Sequence, residues 1–509
     1  MLYASPPAPL PSIGSGGPDA ILWSLAPHMF PLHTPQLPEL LSARPLAAPL
    51  PVARITGCRL DSRQIQPGDL FLAFNGRRQH GIDSAAAAVA AGAVCVVTDR
   101  PPAGSAACPE ILHRTLLVPD TTVALQQLAR WNRSQSAAAV IGITGSVGKT
   151  STRQLITSIL KSRLQGCQSP ANYNNELGVP LTLTQLSADD QFLAVEMGAG
   201  RSGDIHYLCE LAQPIAAVVT RVAPCHLESF GSLDRIAQTK AELPASLPGA
   251  GVAFLNADDP QVREMAATTA ARVVFFGEQA EGNARLNHIS AVNGVCQFQC
   301  GRDAFAFLGG RQLVSCAAAA VAVGREWGLS AEEIRRGLRT FQPGPGRGAV
   351  THGQLWTLID ETYNCSPASL EASMAGLSDW QGPRRVLVAG EMLELGTQAT
   401  VLHSQTAALL AGSAVDLAFF VGSHAGLCRA AAAAAGFPDS RLHAFTDVTA
   451  LETALPELLE PGDVVLVKGS RGLQLEKVLN RLMDLNGATG DVPAASFGGE
   501  SHRDTGHEH

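Results

Sequence analysis

One stretch of ten residues limits the fold of this chain more than any other. Residues 142–151 read GITGSVGKTS and satisfy GxxxxGK[ST], the pattern of a phosphate-binding loop. Such a loop requires a strand before it and a helix after it, because its N–H groups then converge on phosphate at a helix N-terminus. The apolar run 137–143 predicts the strand, and the spacing of Leu155, Ile156 and Ile159 predicts the helix.

Two side chains of the loop have predicted roles with a bound nucleotide. Lys149 is expected to neutralise the β- and γ-phosphates, and Thr150 to offer its hydroxyl to Mg²⁺. The alternative is a chance glycine-rich turn, which the flanking strand and helix disfavour. The predicted ATP contacts of the loop are Thr144, Gly145, Ser146, Val147, Gly148, Lys149, Thr150 and Ser151.

Strand-like and helix-like stretches alternate from about residue 52, which predicts an α/β fold with mostly parallel, doubly wound sheets. A length of 509 residues favours about three domains. A second series of strands follows the Pro-Gly-Pro-Gly sequence at 343–346, which we interpret as a hinge. We expect a proline-rich flexible extension at 1–34, a small α/β domain at 35–114, a central ATP-binding domain at 115–345, a Rossmann-like domain at 346–485 and a disordered tail at 486–509.

Composition excludes several classes of protein. A net charge of −8 disfavours a general nucleic-acid binder. The 11 cysteines form no CxxC pair, so we expect buried, reduced thiols. No apolar run is long enough to span a bilayer, and the first Lys or Arg is Arg44, unlike a secretory signal. We therefore expect a cytoplasmic protein without a membrane span.

Three polar residues follow the loop where parallel sheets bind ligands, beyond the carboxyl ends of strands. Glu196 ends an apolar strand, His226 follows the next strand, and Lys240 falls on a predicted helix. Carboxylate oxygens suit Mg²⁺. Each residue also has an ordinary structural explanation: a cap or salt bridge for Glu196, a hydrogen-bonded polar group for His226, and a solvated helix face for Lys240.

The order of several motifs resembles the Mur ligase family, the ATP-dependent amide-forming enzymes of peptidoglycan synthesis. LDSRQIQPGDLFLAFNGRRQHGID (60–83) is similar to the UDP-recognising domain of MurE and MurF enzymes. The sequence GEMLELG, and the lack of an Asp-Asn-Pro-Arg-like motif, resemble the MurF type. The other matching motifs are TGSVGKTS, NYNNELGVPLTL, AVEMGAG, HLESFGSLDRIAQTKAE, LNADDP, PGRG, LIDETYNCSP and LVKGSRG.

This resemblance implies a monomeric ligase that uses ATP to add D-alanyl-D-alanine to UDP-N-acetylmuramoyl-tripeptide through an acyl phosphate. It implies that Thr150 and Glu196 bind the Mg²⁺ of ATP. Glu196, His226 and Lys240, the last as a carbamate formed with CO₂, would share a second Mg²⁺. Together with Lys149, these three residues form the expected catalytic set.

The resemblance also implies contacts outside the loop. Arg347 and Tyr363 have structural alternatives, a hinge salt bridge and simple packing. Gln312 begins a segment where the family usually has His-Asn-x-x-Asn, so the adenine contacts of that motif are not expected. The implied nucleotide contacts are Asn256, Arg347, Asp360 and Tyr363, and the implied substrate contacts are Ser62, Arg63, Asn174, Asn175, Lys468, Ser470 and Arg471.

Two other functions remain open from the sequence. One is a Mur relative with another acceptor, such as a MurE-like or folylpolyglutamate-synthase-like ligase, which the UDP-type domain and GEMLELG disfavour. The other is a paralogue that only binds nucleotide or precursor, suggested by the altered segment at 312–316. The joint presence of Lys149, Thr150, Glu196, His226 and Lys240 disfavours this second alternative.

Overall fold

The computed structural model describes residues 29–76, 79–103, 108–225 and 227–487. Within these ranges the chain forms three α/β units in the expected order, which confirms the predicted fold class. His226, and the parts of the predicted extension and tail at 1–28 and 488–509, lie outside the described residues. None of the helices in those ranges combines the length and apolar character needed to cross a membrane.

The N-terminal unit is built on a five-stranded sheet that is parallel except for one edge strand. In spatial order its strands are Arg44–Pro45 (antiparallel), Thr115–Leu117, Cys95–Thr98, Asp69–Ala73 and Gly57–Arg59. Two short strands, Leu32–His33 and Arg54–Ile55, pair beside it, and its helices are Leu37–Leu40, Ala85–Ala90 and Pro109–Leu112.

Three predicted domain limits were wrong. Met29 and Leu32 are buried in the N-terminal core, so ordered packing begins before the expected residue 35. Thr115–Leu117 is a strand of the N-terminal sheet rather than the start of the central domain. Asn486, expected in the tail, is 1% exposed. These limits depend on contacts between residues that are distant in sequence, and composition therefore did not reveal them.

The central unit holds a six-stranded, entirely parallel sheet. In spatial order its strands are Arg272–Phe276, Val252–Asn256, Ala216–Val219, Ala139–Thr144, Phe192–Glu196 and Gly166–Gln168. Its helices are Thr121–Gln135, Lys149–Leu160, Gly178–Leu183, Asp204–Ala212, Leu227–Phe230, Leu233–Ala245, Pro260–Glu264, Val314–Glu326 and Ala331–Thr340.

Parallel register brings the ends of four central strands to one edge. Ile143 pairs with Glu196 on one side, and Thr144 pairs with Val219 on the other. The next strand along ends at Asn256. The phosphate-binding loop, the carboxylate of Glu196 and the amide of Asn256 are therefore placed together by strand pairing alone.

An antiparallel three-stranded sheet, not predicted from the sequence, adjoins the central unit. Its strands are Leu286–Val292, Val295–Cys300 and Asp303–Leu308. Cys296 and Cys300 are buried in it. All 11 cysteines are free thiols, of which eight are buried as expected, whereas Cys108, Cys167 and Cys225 are only partly buried.

The C-terminal unit is a second six-stranded sheet, parallel except for its first strand. In spatial order its strands are Ala349–His352 (antiparallel), Thr357–Glu361, Val464–Lys468, Arg385–Gly390, Leu417–Val421 and Leu442–Phe445. Its helices are Pro367–Gly376, Ala399–Ala408, Ala425–Ala434, Val448–Leu458 and Glu476–Leu485. The predicted hinge at 343–346 ends at Gly346, and Gly348 follows closely; both glycines have positive φ.

Candidate active site

A cavity of about 1510 Å³ opens at the carboxyl edge of the central sheet and is closed on its other side by the C-terminal unit. The phosphate-binding loop forms one wall. The predicted residues that line it are Gly145, Ser146, Val147, Gly148, Lys149, Thr150, Ser151, Asn174, Asn175, Glu196, Lys240, Asn256, Arg347, Tyr363 and Lys468. Most of the predicted site is thus brought to one place.

The loop has the backbone that a phosphate cradle needs. Gly145 has a φ of 146°, and a Cβ added there would lie 2.0 Å from the hydroxyl of Thr220. That hydroxyl donates a 2.6 Å hydrogen bond to the carbonyl of Val147. Thr144 does not line the cavity, since its hydroxyl donates to the carbonyl of Met197 at 2.8 Å. Only glycine fits at position 145.

Lys149 is folded back onto its own loop. Its ammonium donates to the carbonyls of Gly145 at 2.7 Å and Ser146 at 3.3 Å. Burial lowers the pKa of Lys149, an effect that the charge of Glu196 opposes. A phosphate in the loop would offer this half-buried cation a stronger, charged partner than two carbonyls.

Glu196 contacts several side chains at the end of the cavity that holds the phosphate-binding loop, which we call the phosphate end. Its side chain is buried, and it accepts hydrogen bonds from Thr150 at 2.9 Å and Asn174 at 3.1 Å. Arg153 lies 3.5 Å away, so the salt bridge considered from the sequence is present as well. The two residues expected to share a Mg²⁺ are therefore in direct contact with each other.

Lys240 is 3% exposed, so the solvated helix face considered for it was wrong. Burial, followed by the charge of Lys149, lowers the pKa of Lys240 to about 8. Its ammonium lies 5.9 Å from the centre of the Phe230 ring and has no hydrogen-bond or ion-pair partner among the described residues. A buried amine without such a partner is unusual unless it is used.

Two of the predicted nucleotide residues brace the backbone. Asn256 donates to the carbonyl of Thr220 at 2.7 Å and accepts from the N–H of Asp258 at 3.0 Å, although it also lines the cavity. Asp360 does not line the cavity. It accepts from the N–H of Gly346 at 2.7 Å and so holds the hinge turn.

The side chains of Arg347 and Tyr363 contact each other in the wall of the cavity. The guanidinium of Arg347 lies 3.7 Å from the ring centre of Tyr363, and burial lowers the pKa of that guanidinium. Arg347 forms no salt bridge within the described residues, which excludes the hinge salt bridge there. Arg471, which does not line the cavity, lies 5.6 Å from the same ring.

Glu361 is a cavity residue that the sequence did not single out. Its carboxylate accepts from Lys468 at 3.0 Å and, across the gap between two units, from Gln312 at 3.0 Å. The segment that departs from the family pattern thus contacts the C-terminal unit. Glu361 directly follows Asp360 at the end of a strand, and this position could have indicated from the sequence that Glu361 lies at the site.

The remaining substrate predictions fall into two groups. Asn175 lines the cavity and accepts from the N–H of Gly178 at 2.9 Å. Ser470 lies outside the cavity, where its hydroxyl accepts from the N–H of Leu393. Ser62 and Arg63 also lie outside it, in the N-terminal unit, where Arg63 pairs with Asp61 at 2.6 Å.

Comparison with known proteins agrees with this geometry. The Mur ligase middle domain matches residues 143–324, the Mur ligase glutamate ligase domain 346–471, and the Mur ligase catalytic domain 54–133. UDP-N-acetylmuramoyl-tripeptide–D-alanyl-D-alanine ligase of Escherichia coli is 32% identical, covering 88% of this chain and 98% of the relative. The chain belongs to the Mur ligase family. The Mycobacterium bovis enzyme of the same name is 36% identical to this Mur ligase, over 84% of this chain and 92% of the relative.

Solved structures show the same architecture. MurF from Acinetobacter baumannii superposes with a TM-score of 0.79 at 30% identity, covering 90% of this Mur ligase and all of that chain. MurF from Thermotoga maritima in complex with ADP gives a TM-score of 0.70 at 27% identity, covering 84% of this Mur ligase and 97% of that chain. This Mur ligase is therefore of the MurF type, with its three-domain fold.

Proposed function

We propose that this Mur ligase uses ATP to join D-alanyl-D-alanine to UDP-N-acetylmuramoyl-tripeptide. The observation that carries the proposal is the hydrogen bond between Thr150 and Glu196 at the foot of the phosphate-binding loop. This contact supports the proposal, because a carboxylate of the kind that binds Mg²⁺ would then lie beside the terminal phosphate of a nucleotide held by the loop. The relatives named for this activity match the chain over most of its length.

Magnesium fits the oxygen donors at the phosphate end. The hydroxyl of Thr150 and the carboxylate of Glu196 would hold the ion that accompanies ATP. Bound there, Mg²⁺ neutralises charge on the phosphates and orients them for transfer. A second ion would be held by Glu196, His226 and Lys240.

Lys240 can serve that second ion only after its charge is changed. Because its pKa is lowered to about 8, a fraction of the amine is neutral near physiological pH and can attack CO₂. The Nζ–C bond forms, one proton leaves, and the product is an anionic carbamate with two oxygens. This converts a cation that repels metal into an oxygen ligand.

The residues of the chain then divide the reaction between them. Lys149 offsets the repulsion between the triphosphate and the tripeptide carboxylate, which takes up the γ-phosphoryl group. The amine of D-alanyl-D-alanine attacks the resulting acyl phosphate and expels phosphate. Arg347, stacked on Tyr363, and Lys468 come from the C-terminal unit, so the cavity excludes water only when that unit covers it.

A single chain supplies both walls of this cavity, and we infer that the enzyme acts as a monomer. The remaining implied contacts belong to the proposal. Ser62 and Arg63 would bind the uridine end, Asn174 and Asn175 the peptide side, and Asn256 and Asp360 the nucleotide side, the last through the turn that it holds.

The test is a coupled assay with defined substrates. The protein, ATP, Mg²⁺, UDP-MurNAc-tripeptide and D-Ala-D-Ala should release phosphate and form the pentapeptide product, detected by mass spectrometry. Lys149→Met should abolish both, whereas Lys161→Met, an exposed site at the opposite end of the same helix, should leave both unchanged. Product with a free amino acid instead would support a MurE-like or folylpolyglutamate-synthase-like ligase, and no phosphate release would support a binding protein.

A further inference from the structure

Arg153 is a buried cation to which the proposed chemistry gives no role. It lies on the helix Lys149–Leu160, one turn beyond Thr150, and does not line the cavity. Only 3% of the residue is exposed. Arginine is rarely buried to this extent unless its charge is paired, so its surroundings need an account.

The guanidinium of Arg153 spans two separate structures. Its Nη2 donates a 3.0 Å hydrogen bond to the carbonyl of Ala171. Its Nε lies 3.5 Å from Glu196 Oε2, close enough for an ion pair, yet this N–H has no hydrogen-bond partner in the described structure. One rigid, planar group therefore connects the phosphate-end carboxylate to the segment that follows strand Gly166–Gln168.

That segment, residues 171–175, has a backbone that must be held in place. Ala171 has a φ of 42°, in the left-handed region, which is unfavourable for a residue with a Cβ. Farther along, the side chain of Asn174 donates to Glu196 Oε1 at 3.1 Å. The backbone carbonyl of Asn174 accepts from the N–H of Gly198 at 2.7 Å. The segment is thus tied to Glu196 at both ends, once through Asn174 and once through Arg153.

We propose that Arg153 is a positioning residue that couples Glu196 to segment 171–175, so that the phosphate end and the substrate amides keep one relative geometry. Arg153 acts through Glu196, Ala171 and Asn174. The effect on the UDP-linked substrate rests on the proposed function, whereas the restraint on the segment does not.

Two variants distinguish the effect of the positive charge of Arg153 from the effect of its contacts with both Ala171 and Glu196. Arg153→Lys keeps a positive charge, but a single ammonium cannot reproduce the fork that reaches both partners. Arg153→Met keeps most of the apolar stem and removes both contacts. Arg163→Met is the control, because Arg163 lies just beyond the same helix, donates to the carbonyls of Trp327 and Gly328, and does not line the cavity.

The first measurement is amide hydrogen exchange over residues 171–176 in the ligand-free protein. Loss of a charged hydrogen bond corresponds to a change of about tenfold or more. We expect exchange to be faster by about that factor in Arg153→Met, faster by less in Arg153→Lys, and unchanged in Arg163→Met. Binding of ADP without Mg²⁺ reports that the loop remains folded in each variant.

The second measurement is kinetic and calorimetric. Arg153→Met should raise the KM and the dissociation constant of UDP-MurNAc-tripeptide about tenfold, with little change in the KM of D-Ala-D-Ala. A uniform loss of activity at constant KM, or unchanged exchange at 171–176, would overturn the proposal. So would complete rescue by Arg153→Lys, which would show that charge alone suffices.

If Arg153→Met loses ADP binding, Arg153→Lys decides the question through its exchange and affinity. A wild-type protein that binds no UDP-linked precursor would contradict the proposed function, while the exchange rates would still decide the role of Arg153.

Discussion

Lys240 is the residue whose surroundings differ most from those that a helix position suggests, because it is buried and has no ion-pair partner in the described part of the chain. We expect Lys240→Ala to lose ligase activity and to regain part of it with added short carboxylates, which can enter the vacated space and replace the carbamate oxygens. Phosphate release measured with and without formate or acetate checks this. Full activity of Lys240→Ala without additives would contradict the assigned role.

The same side chain makes stability depend on pH. The pKa of Lys240 is about 8 in the folded protein and about 10.5 when unfolded, so its burial costs stability below pH 8. This cost is lost as the pH rises through 8 toward 10.5. Lys240→Met should therefore be more stable than the wild type at pH 7, by up to about 3 kcal/mol, and the advantage should vanish by pH 10.5.

Urea unfolding of both proteins in CO₂-depleted, metal-free buffer measures this difference. Groups that do not interact with Lys240 titrate equally in the two proteins and cancel. A difference in the free energy of unfolding that stays constant from pH 7 to 10.5 would contradict the lowered pKa.

At the scale of elements, the last helix is held by the residue that follows it. The side-chain oxygen of Asn486 accepts from the N–H groups of Leu355 and Trp356, and its amide donates to the carbonyl of Trp356. Because these bonds are buried, Asn486→Ala should lower the free energy of unfolding by about 2–4 kcal/mol. Chemical denaturation checks this, with the exposed Asp484→Ala as a control that should change little.

Elements with a chemical signature were predictable from the sequence, and others were not. The strand and helix around the phosphate-binding loop were confirmed, because apolar spacing and glycines both mark them. The antiparallel sheet over 286–308 was missed, since its strands are half-exposed and carry no motif. The strand Thr115–Leu117 was assigned to the wrong unit, because pairing partners cannot be read from local composition.

The residues of the candidate site also fall into those that the sequence predicted and those that it did not. Thr150 and Glu196 were predicted because motifs mark them, and the structure places them in contact. Arg153 and Glu361 were missed because their importance comes from partners at a distance in sequence, Ala171 for one and Gln312 for the other. Asp360 was expected at the nucleotide, and its side chain holds the hinge turn outside the cavity, a position that only side-chain direction reveals.

On the scale of the whole molecule, a set of polar contacts joins the central and C-terminal units beside the cavity. Arg311 donates through two nitrogens to Asp379, Gln381 N–H donates to Asn293, and Gln312 donates to Glu361. These contacts favour the arrangement in which the C-terminal unit covers the phosphate end.

Arg311→Ala should therefore loosen the two units. Asp379 loses a bidentate partner while its side chain remains largely buried, so the open arrangement becomes relatively more favourable. We expect a larger radius of gyration by small-angle scattering without nucleotide, and a higher KM for ATP. Arg429→Ala, which removes a pair with Asp439 inside the C-terminal unit, is the control, and equal effects of both substitutions would contradict the interpretation.

The strand Thr357–Glu361 ends in two consecutive carboxylates that point in opposite directions. Asp360 holds the turn at the hinge, and Glu361 holds Lys468 and Gln312 in the cleft. Because side chains alternate along a strand, inserting or deleting one residue here would exchange the two carboxylates and disable both places at once. We therefore expect a one-residue change in the length of this strand to disturb both the hinge turn and the cleft, whereas substitution of either carboxylate disturbs one of them.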